Sequence, residues 1–233
     1  MAEKIPLVLL PGLLCDAALW APQVNALADI ADPWIADLTR DESLAGMARR
    51  VLAAAPARFA LAGLSMGGYV AQEIMRQSPQ RVTRLALLDT SARADTPERA
   101  AQRRGFIELA HKGQFKGIQP RMLPVYLHPN HLKDKATTDA VLAMAERVGK
   151  DAFLRQQQAI MGRPDGREAL KRIAVPTLVL CGRDDQATPY ELNAEIAGLI
   201  PGATFVAIEH CGHLSTMEKP AEVSAAMRRW LAA

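Results

Sequence analysis

The stretch Phe59-Ala60-Leu61-Ala62-Gly63-Leu64-Ser65-Met66-Gly67-Gly68 decides how this chain is interpreted. Its first six residues are apolar and predict a buried strand, and a helical pattern follows over residues 68–77. The pattern Gly63-x-Ser65-x-Gly67 therefore lies on a sharp turn from strand to helix. Such a turn strains the serine backbone and exposes the hydroxyl, while the flanking glycines let helix and strand approach without a clash. The segment predicts a nucleophilic serine at position 65.

Similar short apolar runs recur along the chain, and most of them lack polar/apolar alternation. Parallel strands that are covered by helices on both faces have this pattern. Helical patterns separate the runs, so the sequence predicts an α/β fold with a mostly parallel sheet of about six strands, flanked by helices. The predicted strands are residues 6–10, 34–38, 59–64, 85–88, 177–180 and 204–208.

The alternation of strands and helices breaks once, between Ser91 and Arg172. Helical patterns fill this interval at residues 98–111, 134–148 and 151–161, and a Gly-bearing joint at Gly149 separates the last two. We therefore predict a core of residues 1–91 and 172–233, with an all-helical cap of residues 92–171 inserted into it. An arginine of this cap that pointed inward would indicate an acidic substrate.

A serine at neutral pH needs a base, and the base needs a partner that holds its tautomer. Asp184 and Asp185 follow the predicted strand 177–180, which places a carboxylate at the carboxyl end of a strand, where α/β sites are built. His210 and His213 follow the last predicted strand. Order along the chain leaves open which aspartate and which histidine would act.

In these motifs and their order the chain resembles the α/β-hydrolase fold family, specifically its small soluble esterase-like and lactonase-like members with a helical cap. The resemblance covers nearly the whole chain. In that family the acid stands four residues before a proline, in a Gly-x-x-Asp-x-x-x-Pro pattern, which selects Asp185 in the stretch Gly182 to Pro189. The family histidine follows a glycine, which selects His213 over His210.

The resemblance also implies an oxyanion hole made of the backbone N–H groups of Leu13 and Met66. The segment Pro11-Gly12-Leu13-Leu14 stands where relatives commonly carry His-Gly, and Gly12 is expected to give this loop its freedom. Gly63 and Gly67 would support the serine turn. No metal and no organic cofactor are required for such a site.

One departure from the family concerns the start of the sheet. Relatives usually have two strands before the oxyanion loop, whereas only Met1 to Lys4 precede the corresponding strand here, so we expect those two strands to be absent. The strand at residues 34–38 would then lie at an exposed edge. Exposed edges favour pairing with another chain, so a homodimer through this strand is a hypothesis.

Composition excludes several other classes of protein. Lys plus Arg exceed Asp plus Glu by 28 minus 25, a net charge of +3, and the basic residues are dispersed, which argues against nucleic-acid binding. The longest apolar runs fall short of the roughly 18 residues that span a bilayer. Scattered cysteines, Cys15, Cys181 and Cys211, argue against a disulfide framework and favour the cytoplasm. His128 and His131 lack a carboxylate at helical spacing that would complete a zinc site.

The function that the resemblance implies is a serine hydrolase that cleaves small carboxylic esters through an acyl-enzyme. Ser65, His213 and Asp185 would form its triad. The elbow looks like that of enol-lactonases and cofactor-free perhydrolases, so a lactonase or a carbon–carbon bond hydrolase with the same triad is an alternative. A hydrolase-like small-molecule receptor with vestigial turnover is an alternative of a different class. Cys211 is expected to be a small buried apolar residue rather than a nucleophile.

Overall fold

Six parallel strands form one sheet in the order β2-β1-β3-β4-β5-β6 in the computed structural model, which describes residues 4–233. The predicted α/β fold with about six parallel strands is therefore confirmed. β1 is the first strand among the described residues. Met1, Ala2 and Glu3 lie outside the described residues. The strands are β1 (Ile5–Leu10), β2 (Ala31–Ile35), β3 (Phe59–Leu64), β4 (Val82–Leu88), β5 (Thr177–Gly182) and β6 (Thr204–Ile208).

Helices cover both faces of the sheet because successive strand side chains point to opposite sides. In β1, Leu7 and Leu9 join one buried apolar cluster, and Val8 and Leu10 join the other. The helices are α1 (Ala21–Leu27), α2 (Leu44–Ala54), α3 (Met66–Gln77), α4 (Pro97–Leu109), α5 (Leu123–Tyr126), α6 (Lys135–Met161), α7 (Arg167–Leu170), α8 (Tyr190–Leu199), α9 (Ser215–Glu218) and α10 (Pro220–Ala232). α1 and α10 pack on the first cluster, and α2, α3 and α8 pack on the second.

The second strand was placed wrongly from the sequence, at residues 34–38 rather than Ala31–Ile35. This strand lies at the edge of the sheet, as predicted, and it is half exposed and contains Pro33, which has no N–H to donate. The buried Ala36 and Leu38, which suggested a strand, belong to the connection that leaves it. Pairing of two copies along β2 stays a prediction.

Between β4 and β5, residues 89–176 form only helices, helical turns and loops. α6 is interrupted at Gly149, whose φ of 75° and ψ of 177° separate the two helices that the sequence predicted there. α4 differs from the other long helices because none of its residues is buried. The division into core and cap stays a prediction. Within residues 4–233, each helix is too short or too polar to cross a membrane.

Candidate active site

Ser65 occupies a strained turn between β3 and α3. Its φ of 55° lies in the left-handed region, which non-glycine residues rarely adopt. Two hydrogen bonds join this backbone to β4 and the residues after it: the Ser65 N–H donates to the Leu88 carbonyl at 3.0 Å, and the Thr90 hydroxyl donates to the Ser65 carbonyl at 2.8 Å. The strain is therefore maintained by the neighbouring strand β4 and the residues that follow it.

The two glycines beside Ser65 are required by close backbone contacts. A Cβ atom at Gly63 would lie 2.3 Å from the carbonyl oxygen of Gly67, and a Cβ at Gly67 would lie 2.1 Å from that of Leu10. Gly12 is less constrained than expected, because its φ is not left-handed and a Cβ there would lie 3.4 Å from the Ser65 Cβ. Close packing of strand, turn and helix thus depends on Gly63 and Gly67.

His213 links Ser65 to Asp185 in a continuous chain of hydrogen-bond contacts. Its Nε2 lies 2.9 Å from the Ser65 Oγ, and its Nδ1 lies 2.8 Å from the Asp185 Oδ2. The three residues follow β3, β6 and β5, so the parallel sheet brings the carboxyl ends of three strands to one edge. The structure therefore brings together the serine, histidine and aspartate singled out from the sequence.

The structure also distinguishes the two neighbouring aspartates. The Asp185 carboxylate is buried and accepts hydrogen bonds from the N–H groups of Ala187 and Thr188, at 2.8 and 2.9 Å, and from the Thr188 hydroxyl at 2.7 Å. The Asp184 carboxylate is 43% exposed and lies 3.7 Å from the Nε2 of His128. Asp185, and not Asp184, therefore faces the His213 ring.

The loop that carries His213 is held by a buried carboxylate and by a backbone carbonyl. Glu218 Oε1 accepts from the N–H groups of Gly212 and Leu214, at 3.0 and 3.3 Å, and its Oε2 accepts from the His128 N–H at 2.7 Å. The His213 N–H donates to the Tyr126 carbonyl at 2.9 Å. Residues 126–128 lie between β4 and β5, so this loop depends on contacts outside its own end of the chain.

Three carboxylates influence the protonation of His213. Burial by itself would lower the pKa of His213, but Asp185, Asp89 and Glu218 outweigh burial and hold that pKa above its ordinary value. Asp89 is fully buried, and burial together with the nearby charge of Asp185 raises the pKa of its carboxyl. Its oxygens accept from the Gly182 N–H at 2.8 Å and from the Ser215 hydroxyl.

The loop after β1 is fixed by a side chain of α6. Leu14 has a left-handed φ of 57°, and its N–H donates to the buried Oε1 of Gln156, on α6, at 3.1 Å. The Gln156 Nε2 donates to the Leu38 carbonyl at 3.2 Å. Within residues 4–233, the N–H of Leu13, the residue before Leu14, has no acceptor. The Met66 N–H is the first N–H of α3 and therefore has no partner inside that helix.

Ser65 and His213 open into a small cavity of about 110 Å³. Its other walls come from the loop after β1 and from the helical segment between β4 and β5, and they include Leu13, Tyr126 and two arginines, Arg99 and Arg103. Larger hollows, of about 750 and 830 Å³, lie elsewhere and contain neither Ser65 nor His213. The small cavity is thus the space in which a reacting group could meet the serine.

A second cluster of titratable residues lies beside this site. His128, Asp184 and His210 bring possible ligand atoms within 4.8 Å of one another. Helical spacing around His128 does not reveal this carboxylate, because Asp184 comes from the loop after β5. The Nδ1 of His128 accepts from the Asn130 N–H at 3.1 Å, so the neutral ring carries its proton on Nε2, which opposes metal binding at that atom.

The cysteines are free and buried. Burial raises the pKa of the Cys15 thiol to about 12 and that of Cys211 still further, so both stay protonated. The prediction that Cys211 is a buried apolar residue is confirmed by its place in the apolar core.

Several residues that shape the site had no signal in the sequence. They are Asp89, Arg99, Arg103, Gln156, Thr188 and Glu218. Only Thr188 lies near a motif, three residues after Asp185. The side chains of Gln156 and Glu218 act on backbone 142 and 90 residues away, at Leu14 and His128, and no local pattern reveals such contacts.

Comparison with known proteins defines the class to which this protein belongs. The model of the alpha/beta hydrolase fold family matches residues 5–220. The chain belongs to the α/β-hydrolase fold family, and its relatives support hydrolase activity.

Individual relatives agree with this assignment. The pimeloyl-(acyl-carrier protein) methyl ester esterase of Vibrio campbellii is 27% identical over 91% of this chain and 88% of its own length. A thermophilic esterase from Thermogutta terrifontis superposes with a TM-score of 0.88 at 27% identity, covering 99% of this chain and 90% of that one. The enol-lactonase from Burkholderia xenovorans LB400 has a TM-score of 0.89 at 24% identity, covering 100% and 93%, and shares the fold.

Proposed function

We propose that this protein is a serine hydrolase that cleaves small carboxylic esters through an acyl-enzyme. The observation that carries the proposal is the unbroken relay from the Ser65 Oγ through His213 to the Asp185 carboxylate, at 2.9 and 2.8 Å, facing a cavity. A nucleophile, a base and an orienting acid in this arrangement are the parts that acyl transfer requires. The esterase relatives support an ester as the substrate.

In the acylation half of the reaction, the Ser65 Oγ attacks the ester carbonyl carbon while its proton moves to the Nε2 of His213. The carbonyl oxygen becomes an oxyanion, for which the N–H groups of Leu13 and Met66 are the proposed donors. Collapse of this intermediate breaks the bond from the carbonyl carbon to the alkoxy oxygen. His213 then gives its proton to the leaving alkoxide, which departs as an alcohol.

In the deacylation half, water donates a proton to the Nε2 of His213 and attacks the acyl carbon. Collapse returns that proton to the Ser65 Oγ and releases the carboxylic acid, so one ester and one water become one acid and one alcohol. Asp185 holds the Nδ1 proton throughout and stabilises the imidazolium. A lactone would follow the same steps, with its alkoxide remaining attached to the acyl product.

Labelling with a fluorophosphonate tests the nucleophile without assuming a substrate. We expect intact-protein mass spectrometry to show one adduct on the wild-type protein and on Ser78→Ala, because Ser78 makes no side-chain hydrogen bond at the far end of α3. Ser65→Ala should lose the adduct while remaining folded. An unlabelled but folded wild-type protein would contradict the proposal.

A panel of p-nitrophenyl esters and lactones then tests the reaction itself. Acetate and butyrate esters should be hydrolysed by the wild type, and Ser65→Ala should retain at most about 10⁻³ of the wild-type kcat. An adduct on Ser65 without turnover of any ester or lactone would favour the receptor alternative instead.

A further inference from the structure

The cap side of the Ser65 cavity is positively charged. Arg99 and Arg103 lie four residues apart on α4, so they share one face of the helix, and both line the cavity. No Asp or Glu is among the described residues that line this cavity. Two cations therefore face the serine and histidine without a carboxylate in the same wall.

Arg103 is only partly neutralised by its neighbours. Its Nε donates to the Asp95 Oδ2 at 2.7 Å, and its Nη1 donates to the Gln157 Oε1 at 2.8 Å. Asp95 also forms an ion pair with Arg163, whose Nη2 lies 2.8 Å from the Asp95 Oδ1. The geometry of this ion pair is not that of a hydrogen bond. One carboxylate thus serves two guanidinium groups, which leaves an excess of one positive charge at this pair.

Arg99 has still fewer partners. Among residues 4–233, the one acceptor for its guanidinium is the Ala187 carbonyl, at 3.2 Å from Nη2. A guanidinium carries five N–H donors, and this contact uses one of them. The nearby Asp185 carboxylate is occupied by His213, Ala187 and Thr188. Arg99 is therefore a partly buried cation with unused donors at the edge of the reacting space.

A partly buried cation is costly unless an anion joins it, and guanidinium groups bind carboxylates in a planar, bidentate manner. We propose that Arg99 and Arg103 bind a free carboxylate on the substrate, which makes the substrate a monoester or lactone of a short dicarboxylic acid. This inference rests on the proposed esterase function. It deepens that function by assigning the group that the cap recognises.

The size of the cavity sets the length of the acid. Ser65, Arg99 and Arg103 all line one cavity of about 110 Å³. Because both residues line this small cavity, an ester carbonyl at Ser65 and a carboxylate at Arg99 would belong to one short chain. Hydrolysis would release a dicarboxylic acid and a small alcohol.

A matched pair of esters tests the charge directly. Monomethyl glutarate and dimethyl glutarate share the same carbon chain, and only the first carries a carboxylate. We expect the wild type to prefer the monoester by at least about tenfold in kcat/KM. Arg99→Met should lower kcat/KM for the monoester by about ten- to a hundredfold, mainly through KM, because hydrogen bonds to charged groups are the strong ones.

Further variants separate charge recognition from a structural effect. Arg99→Lys should restore part of the preference, because it keeps the charge and loses the bidentate geometry. Arg104→Met is the matched control on the same helix, since Arg104 faces a separate hollow with Glu108 and Gln158. Glutarate should protect Ser65 from the fluorophosphonate in the wild type and protect it less in Arg99→Met, which gives a readout besides turnover.

The results distinguish the two proposals. Equal kcat/KM for both esters in the wild type, or equal losses on both esters in Arg99→Met, would overturn the carboxylate assignment while leaving the esterase function intact. Absence of both hydrolysis and a Ser65 adduct would instead overturn the proposed function.

Discussion

The two sides of the Ser65 cavity are built differently. On the core side, Ser65, Asp185 and His213 lie at the carboxyl ends of three parallel strands, and His213 and Asp185 are only 4% and 2% exposed. On the side formed by α4, no residue of that helix is buried, and its arginines reach the cavity from a partly exposed helix. The proposed reacting groups are fixed by a packed sheet, whereas the proposed recognition groups lie on a weakly packed helix.

This difference assigns separate tasks to the two sides. Reacting atoms must be held within a fraction of an ångström, which packed elements and hydrogen-bonded neighbours achieve. Recognition of a charged group by a long side chain tolerates more movement. Substitutions on the core side should therefore reduce turnover or stability strongly, and substitutions on α4 should act on selectivity or have small effects.

The largest effect is expected from the orienting acid. Asp185→Asn should lower kcat by about 10⁴-fold, because an amide no longer holds the His213 tautomer that accepts the serine proton. Asp184→Asn is the adjacent control and should change kcat by less than about twofold. Steady-state kinetics on one ester suffice for both. Equal losses in the two variants would refute the choice of Asp185.

Two glycines give a direct contrast in stability. Gly67→Ala should lower the free energy of unfolding by about 3 kcal/mol, because its Cβ would lie 2.1 Å from the Leu10 carbonyl oxygen. Gly105→Ala on α4 should raise it by about 0.5–1 kcal/mol, since nothing lies within 4 Å and alanine favours a helix. Urea denaturation measures both changes. A destabilising Gly105→Ala would show that α4 is packed more tightly than the structure indicates.

Gln156, on α6, joins the helical segment between β4 and β5 to the loops after β1 and β2. Gln156→Leu should lower the free energy of unfolding by about 2 kcal/mol, because the buried Leu14 N–H and Leu38 carbonyl lose their partner. Looser placement of the Leu13 N–H should also lower kcat, by about tenfold. Gln158→Leu, on the exposed face of the same helix, is the control. Unchanged kcat in Gln156→Leu would contradict the role of this contact.

The smallest expected effect is a shift in pH dependence. His213 must be neutral to accept the serine proton, so kcat/KM falls as pH drops through its pKa. Because that pKa is raised, the midpoint of the acid limb should lie above about 6.5. Asp89→Asn removes one of the charges that raise it and should move the midpoint to lower pH. Asp184→Asn should leave it in place, and a shift to higher pH in Asp89→Asn would refute this account.

Local patterns located the parts of the site at strand ends, but the family resemblance was needed to select Asp185 over Asp184 and His213 over His210. The geometry of a parallel sheet accounts for the pattern Gly63-x-Ser65-x-Gly67 directly after a strand. It also accounts for the carboxylate and imidazole groups that follow later strands. The edge strand β2 was misplaced by three residues because exposure and Pro33 remove the continuous apolar pattern that marks central strands. Apolar residues in the connection after β2 then imitated a strand.

The contacts between the helical segment of residues 89–176 and the rest of the chain could not be predicted from the sequence. Gln156 and Arg99 are a polar and a charged residue within helices, and most such residues are solvated. Their partners, Leu14 and Ala187, lie 142 and 88 residues away, and they contribute backbone groups, which every residue possesses. Only the folded arrangement shows which helical side chains turn inward.

The hydrogen bonds from His213 to the Tyr126 carbonyl and from the His128 N–H to Glu218 bear on protein engineering. Designers often exchange the variable region of an enzyme for that of a homologue to change what it accepts. Here such a chimera would replace part of the support of His213, the proposed catalytic base, along with the proposed recognition residues. In a chimera, the segment with residues 126–128 and the segment with Glu218 should therefore be taken from the same parent protein.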